Sequence, residues 1–298
     1  MRGLKLVCAA LLFAGIGAPS AFAAQCLGVA PGTSQRVVIG DTGRSLLLHV
    51  PSGYTKRAPL VFLLHGSTGT GAQMLAESKL AETADRHGFL VAAPDAGIAE
   101  GKGFVWNIPG VPTVTGKVPG PNDPDDVAFL TEAAQWLGTL GCADASRVYV
   151  TGLSGGGRMT SWLGCVAADR FAAIAPVVGL RAGNPSPVDP RFPDPKTCQP
   201  SRPMPVIAFA GGRDTTNPVE GGGAPYWQYP MRTAEARWAD LNGCRRPRPT
   251  VSAGGIEEHG YTECRSGAEV VARIDSQAGH SWVADNEAMW AFFARRRR

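Results

Sequence analysis

The chain has 298 residues, 44% of them hydrophobic and only 18% charged, with 38 glycines and 24 prolines. That composition excludes a disordered segment, a coiled coil and a collagen-like repeat, and it fits a loop-rich globular protein. The formal net charge of +4 includes Arg2 and Lys5 at the extreme N-terminus; without them no basic surface is concentrated enough to make nucleic acid an expected partner.

Arg2 and Lys5 precede an apolar run from Leu6 to Ile16, and Ala21-Phe22-Ala23 offers the small residues a signal peptidase reads, so residues 1–23 are expected to be a signal peptide. The run is too short to span a bilayer. Gln25 ahead of Cys26 argues against a lipidated cysteine, so no membrane anchor is expected. Residues 24–298 contain no Ser/Gly-rich, Pro-threaded or charged divider and read as one exported, monomeric domain. Setting aside Cys8, the cysteines left are Cys26, Cys142, Cys165, Cys198, Cys244 and Cys264, an even set that suits disulfides outside the cytoplasm. Cys244 with Cys264 and Cys165 with Cys198 are the preferred pairs, leaving Cys26 with Cys142. Ligand spacings for zinc are missing, and neither metal nor other cofactor is expected.

In chain order, Arg36 to Gly40 and Arg44 to Val50 alternate around Asp41-Thr42-Gly43 and predict an edge hairpin. Pro59 to Leu64, Phe89 to Ala93, Arg147 to Thr151, Phe171 to Val178, Pro205 to Ala210 and Val270 to Ile274 are short apolar runs of the kind found in strands covered on both faces. Helices are predicted over Ala72 to His87, Asp125 to Leu140, Gly155 to Asp169, Met231 to Leu241 and Asn286 to Arg295. The alternation implies an α/β fold with a mostly parallel sheet flanked by helices. Two long Gly- and Pro-rich connections, Asp95 to Pro124 and Arg181 to Pro203, are the expected walls of a cleft beyond the carboxyl ends of the strands. The run Arg295 to Arg298 reads as a frayed, solvated terminus.

Chemistry concentrates at Gly152-Leu153-Ser154-Gly155-Gly156, a G-x-S-x-G pattern between a predicted strand and a predicted helix. The glycines permit a sharp turn that exposes the serine hydroxyl, with the helix N-terminus facing developing negative charge. A serine near neutral pH needs a base within reach and a third group to orient that base. His280, in Gly279-His280-Ser281-Trp282 after the last strand, is the expected base, whereas His259 reads as part of a polar loop. Asp214, in Gly211-Gly212-Arg213-Asp214 after the strand Pro205 to Ala210, is the expected acid. The second oxyanion donor is expected after Leu64, in His65-Gly66-Ser67-Thr68, so the backbone amides of Gly155 and Ser67 are the candidate oxyanion hole.

Trp106, in the first long connection, and Trp282 are candidate substrate-binding residues. His65 stands with them, and alternatively reads as a hydrogen-bonded anchor of its loop. Asp125 and Asp126 read as residues of a helix N-terminus with no catalytic role. Gly101-Lys102-Gly103 lacks the spacing of a phosphate loop.

Leu64-His65-Gly66, the segments Asp125 to Leu130, Arg147 to Gly156, Phe171 to Pro176 and Pro205 to Phe209, and Gly279-His280-Ser281-Trp282 together resemble the poly(3-hydroxybutyrate) depolymerase and feruloyl esterase group of secreted α/β-hydrolases. The resemblance runs from about Arg44 to Trp290. It implies an α/β-hydrolase fold and ester hydrolysis through an acyl-enzyme, with Ser154, Asp214 and His280 matching the group's triad. Ala210 stands where the group usually has histidine, and Val283 where proline often follows; both bear on cleft shape. The segment after Trp290 is not expected to hold the polymer-binding module of full-size depolymerases.

The activity these observations favour is hydrolysis of short hydroxyalkanoate esters or oligomers, as small molecules or polymer. Feruloyl or acetyl esters on plant polysaccharide are the alternative substrates. An acyltransferase using the same three residues, or a hydrolase-fold binding protein, would differ in reaction with acceptor alcohols or with a fluorophosphonate.

Overall fold

The computed structural model describes residues 25–298; the expected signal peptide and Cys8 lie outside them. The chain begins with β1 (Thr33–Val38) and β2 (Ser45–Val50), the predicted hairpin, followed by β3 (Ala58–Leu64), α1 (Gly71–Ser78), α2 (Leu80–His87) and β4 (Leu90–Pro94). The first long connection carries a two-stranded ribbon, β5 (Ile98–Glu100) and β6 (Gly103–Val105), before α3 (Asp126–Thr139). Next come β7 (Ala143–Leu153), α4 (Gly155–Val166), β8 (Ala173–Val177), β9 (Val206–Gly211) and α5 (Met231–Asn242). The chain closes with β10 (Arg246–Ala253), β11 (Ile256–Thr262), β12 (Val270–Asp275) and α6 (Asn286–Ala294).

Ten strands form one sheet in the order β1-β2-β4-β3-β7-β8-β9-β12-β11-β10. From β4 to β12 every neighbour is parallel, and both edges are antiparallel. The parallel strands have the expected composition: β3, β4, β8 and β9 are buried along their whole length. Alternation along β3 divides the core between the two faces of the sheet. Leu60, Phe62 and Leu64 pack with Phe129 and Leu130 of α3, Met159 and Leu163 of α4 and Trp238 of α5. Val61 and Leu63 pack with Met74 and Leu75 of α1, Leu80 of α2 and Phe292 and Phe293 of α6. Truncating a ring in this core, for example Phe62→Ala, is expected to cost about 3 to 5 kcal/mol.

Four expectations are corrected. The helix predicted over Ala72 to His87 is two helices, because Lys79 takes a left-handed conformation (φ 56°) and ends α1. His259 is in a strand, not a loop: β11 pairs with β12, and the imidazole is buried 2.8 Å from Glu235 of α5. The first long connection is partly regular, and Phe104 of β6 bridges to Gly69 in the loop after β3. The C-terminal arginines are tied down: Arg296 pairs with Glu269 and its carbonyl accepts from Tyr149, while Arg298 donates to the carbonyls of Ala145 and Asp169.

The disulfides are Cys26–Cys142, Cys165–Cys198 and Cys244–Cys264, the expected pairs. Cys26–Cys142 spans 116 residues and removes the most unfolded-chain entropy, worth about 5 kcal/mol in the loop-closure account.

Candidate active site

Ser154, Asp214 and His280 sit directly after β7, after β9 and between β12 and α6, all at the carboxyl ends of parallel strands. The serine occupies a backbone conformation (φ 55°, ψ −110°) that a side chain rarely adopts. Neighbouring backbone holds it there. A Cβ on Gly152 would lie 2.7 Å from the Gly156 carbonyl oxygen and from Leu64 Cβ, and one on Gly156 would lie 2.3 Å from the Leu64 carbonyl oxygen. The turn therefore closes only with glycine at both positions, and it lifts Ser154 Oγ off the sheet.

His280 Nε2 lies 2.8 Å from Ser154 Oγ, and His280 Nδ1 lies 2.8 Å from Asp214 Oδ2. The acid and base loops are packed backbone to backbone. The amide of Arg213 donates to the Ala278 carbonyl at 2.9 Å, and the amide of Gly212 donates to that of Asp275 at 2.7 Å. A Cβ on Gly211 would lie 2.3 Å from the Gly279 carbonyl oxygen.

Asp214 is buried, and its Oδ1 accepts the amides of Thr216 and Asn217, each at 2.8 Å. Burial pushes the carboxyl up, but the His280 hydrogen bond, the two amides and the attraction of His280 outweigh it and hold the group below the ordinary aspartate value. A carboxylate in that state accepts Nδ1–H and leaves Nε2 free to take a proton from Ser154. Asn217 was not foreseen from sequence. Besides bonding Asp214 through its amide, its side chain donates to the Val178 carbonyl at 2.6 Å, fixing the acid loop to the end of β8. The cue is the aspartate itself, whose carboxylate accepts the backbone amides two and three residues on in an Asx turn.

The backbone segments carrying the two candidate oxyanion amides are in close contact: a Cβ on Gly155 would lie 3.0 Å from Ser67 N. Gly155 is the first residue of α4, so its amide has no helical partner. The Ser67 loop is held by Phe104, whose carbonyl accepts the Thr68 amide at 2.8 Å.

His65 does not face this space, which corrects its candidacy as a substrate-binding residue. It is 1% exposed; Nδ1–H donates to the Gly66 carbonyl at 2.7 Å and Nε2 accepts the Ala96 amide at 3.0 Å. Burial lowers its pKa against the opposing effects of the Gly66 bond and Asp95. It is the loop anchor of the alternative reading. Trp106 stacks on it, centroids 4.9 Å apart, and donates to its carbonyl at 2.8 Å. Trp106 also lines a cavity with Ser67, Gly155, Ile108, Val111 and Arg158. The half-buried Trp282 indole packs on the cluster of Met74, Leu75 and Met289 and donates to Asn286 at 3.1 Å. Asp126 is more than a helix-end residue: it is buried and accepts from Arg44 at 2.7 Å and from the amides of Gly97 and Asn107, which fastens the first long connection to α3.

An acetyl xylan esterase from Aspergillus awamori superposes with a TM-score of 0.63, covering 88% of this chain and 99% of that one at 18% identity. The chain has the α/β-hydrolase fold. In sequence, the chain is 30% identical over 261 residues to feruloyl esterase B of Piromyces equi, a match covering 84% of the chain and 44% of the relative. It is 35% identical over 133 residues to poly(3-hydroxyalkanoate) depolymerase C of Paucimonas lemoignei, covering 44% of the chain and 30% of the relative. The chain thus spans less than half the length of both relatives. Residues 77–181 match the prolyl oligopeptidase family, a stretch that includes Ser154 and ends before Asp214 and His280.

Proposed function

We propose that this chain of α/β-hydrolase fold is an exported serine carboxylic-ester hydrolase working through an acyl-enzyme. The observation carrying the reading is the unbroken hydrogen-bonded line from Asp214 through His280 to Ser154 Oγ. The sequence similarity to a feruloyl esterase and a polyhydroxyalkanoate depolymerase supports an ester as substrate, and the disulfides support export.

In this mechanism Ser154 Oγ bonds to the ester carbonyl carbon while its proton passes to His280 Nε2. The former carbonyl oxygen takes up the electron pair and is met by the amides of Gly155 and Ser67; one such donor is worth about 3 kcal/mol in the barrier. Collapse re-forms the carbonyl and expels the alcohol, which leaves with the proton from Nε2. Water then repeats the sequence on the acyl-Ser154, delivering its proton to Nε2 and releasing the acid. Asp214 stays ionised and stabilises the transient imidazolium. Short hydroxyalkanoate esters and oligomers are the proposed substrates.

A panel of p-nitrophenyl butyrate, 3-hydroxybutyrate trimer, amorphous poly(3-hydroxybutyrate) and methyl ferulate tests the reading on wild type and Ser154→Ala. Turnover of the trimer that vanishes in the variant is the expected result. Turnover of ferulate alone would move the substrate to plant cell-wall esters, and no turnover on any member would reject hydrolysis.

A further inference from the structure

Beside Ser154 stand two buried arginines for which the mechanism has no use. Arg158 lies one helical turn after the serine on α4 and is 6% exposed; Arg181, beyond β8, is 7% exposed. The Arg158 guanidinium lies 4.2 Å from the centre of the Tyr226 ring and its Nη2 lies 3.4 Å from Ser67 Oγ, but its Nε has no partner among the described residues. Arg181 donates through Nη1 to the Tyr229 carbonyl at 2.6 Å and lies 3.2 Å from the centre of the Trp227 ring. Its Nε and Nη2 are unpartnered among the described residues. These two groups share one edge of the guanidinium, the edge that grips a carboxylate through parallel hydrogen bonds.

Burying a cation without an anion costs several kcal/mol. Burial pulls Arg158 down to about 10 and Arg181 to about 9; the titratable groups acting on them are tyrosines and, for Arg181, the repelling Arg158. Both remain protonated at neutral pH. Arg158, Arg181, Ile108, Val111, Trp162 and Tyr226 line a small, open-mouthed cavity of about 20 Å³. It shares Ile108, Val111 and Arg158 with the cavity beside Ser67 and Gly155, so the two cavities are neighbours and Arg158 borders both.

We propose that the Arg158–Arg181 pocket is a carboxylate subsite, so that the preferred esters carry a free carboxylate within one hydroxyacid unit of the scissile carbonyl. A hydroxyacid dimer or trimer has such a group; a simple acetyl ester does not. The inference rests on the serine-esterase reading for its catalytic meaning, while binding at the pocket stands apart from turnover.

The test is calorimetric titration of Ser154→Ala with 3-hydroxybutyrate dimer and with the methyl ester of that dimer. The acid is expected to bind at least tenfold more tightly, and the ratio to fall towards one when Arg181→Met is added, with Arg181→Lys restoring part of it. Arg158→Met reads the same ratio should Arg181→Met fail to fold. Equal binding of acid and ester, binding of neither, or a preference that survives both methionine variants would overturn the subsite. Wild-type turnover of the four-ester panel is scored alongside: turnover without acid preference rejects the subsite and leaves the esterase reading, whereas acid preference without turnover of any member rejects the esterase reading and keeps the subsite.

Discussion

The carbonyl oxygen of Leu64 occupies the space a side chain on Gly156 would need: a Cβ there would lie 2.3 Å from it and 2.6 Å from the His65 carbonyl oxygen. The end of β3 and the start of α4 thus touch backbone to backbone, and this contact sets the Ser67 loop beside Ser154. Gly156→Ala must push the two apart. It is expected to lower kcat/KM for p-nitrophenyl butyrate by more than about a hundredfold, since a misplacement of ~1 Å can cost that much, and to lower Tm. Unchanged kinetics would mean that the elbow does not need this contact.

Asp214→Asn keeps the shape of the acid but presents an amide to His280 Nδ1, favouring the imidazole tautomer with Nε2 protonated. That tautomer has no acceptor for the Ser154 proton. A fall in kcat of about 10⁴ is expected, by analogy with the same change in other triads, with Tm moving far less. Steady-state kinetics together with a thermal melt check both parts.

Asp126→Ala leaves Arg44 without its partner and orphans the amides of Gly97 and Asn107. Burial pushes this carboxyl up even with Arg44 beside it, so the site depends on a complete set of donors and acceptor. Removing one member of a buried pair costs about 3 to 5 kcal/mol. A denaturant midpoint shift of that size is expected, with KM rising because the first long connection carries Trp106.

Asp144 accepts from Ser146 and Arg147. Burial, the largest single effect, raises its pKa, but these bonds and the Arg147 charge together outweigh it and lower the group from 3.8 to about 2. A carboxyl depressed on folding contributes stability that is present above its unfolded value and is lost as pH falls through its folded one. The destabilisation caused by Asp144→Asn should therefore be full above about pH 4 and fade towards pH 2, as melts across that range would report.

The elbow was legible because its glycines, its apolar strand and its helix are adjacent in the chain, and His280 and Asp214 because each closes a strand of unmistakable composition. The edge pair β10 and β11 was not. Arg246–Ala253 is mostly exposed and carries Pro247 and Pro249, so neither apolar alternation nor β propensity marks it. The break at Lys79 is equally silent, since a lysine in a left-handed conformation leaves no composition cue. Arg158 and Arg181 look like surface residues one at a time. Only packing reveals that Tyr226, Trp227 and Tyr229 enclose them. His65 escapes the sequence for the converse reason: adjacency in the chain to a site does not say which way a ring turns.

The most direct test of the central claim, that Ser154 is the nucleophile, is intact-mass and peptide mapping after treatment with a fluorophosphonate. The account predicts one adduct per chain, on Ser154, with loss of esterase activity in step with labelling and no adduct on Ser154→Ala. An unlabelled wild-type protein, or an adduct on another residue, would contradict it.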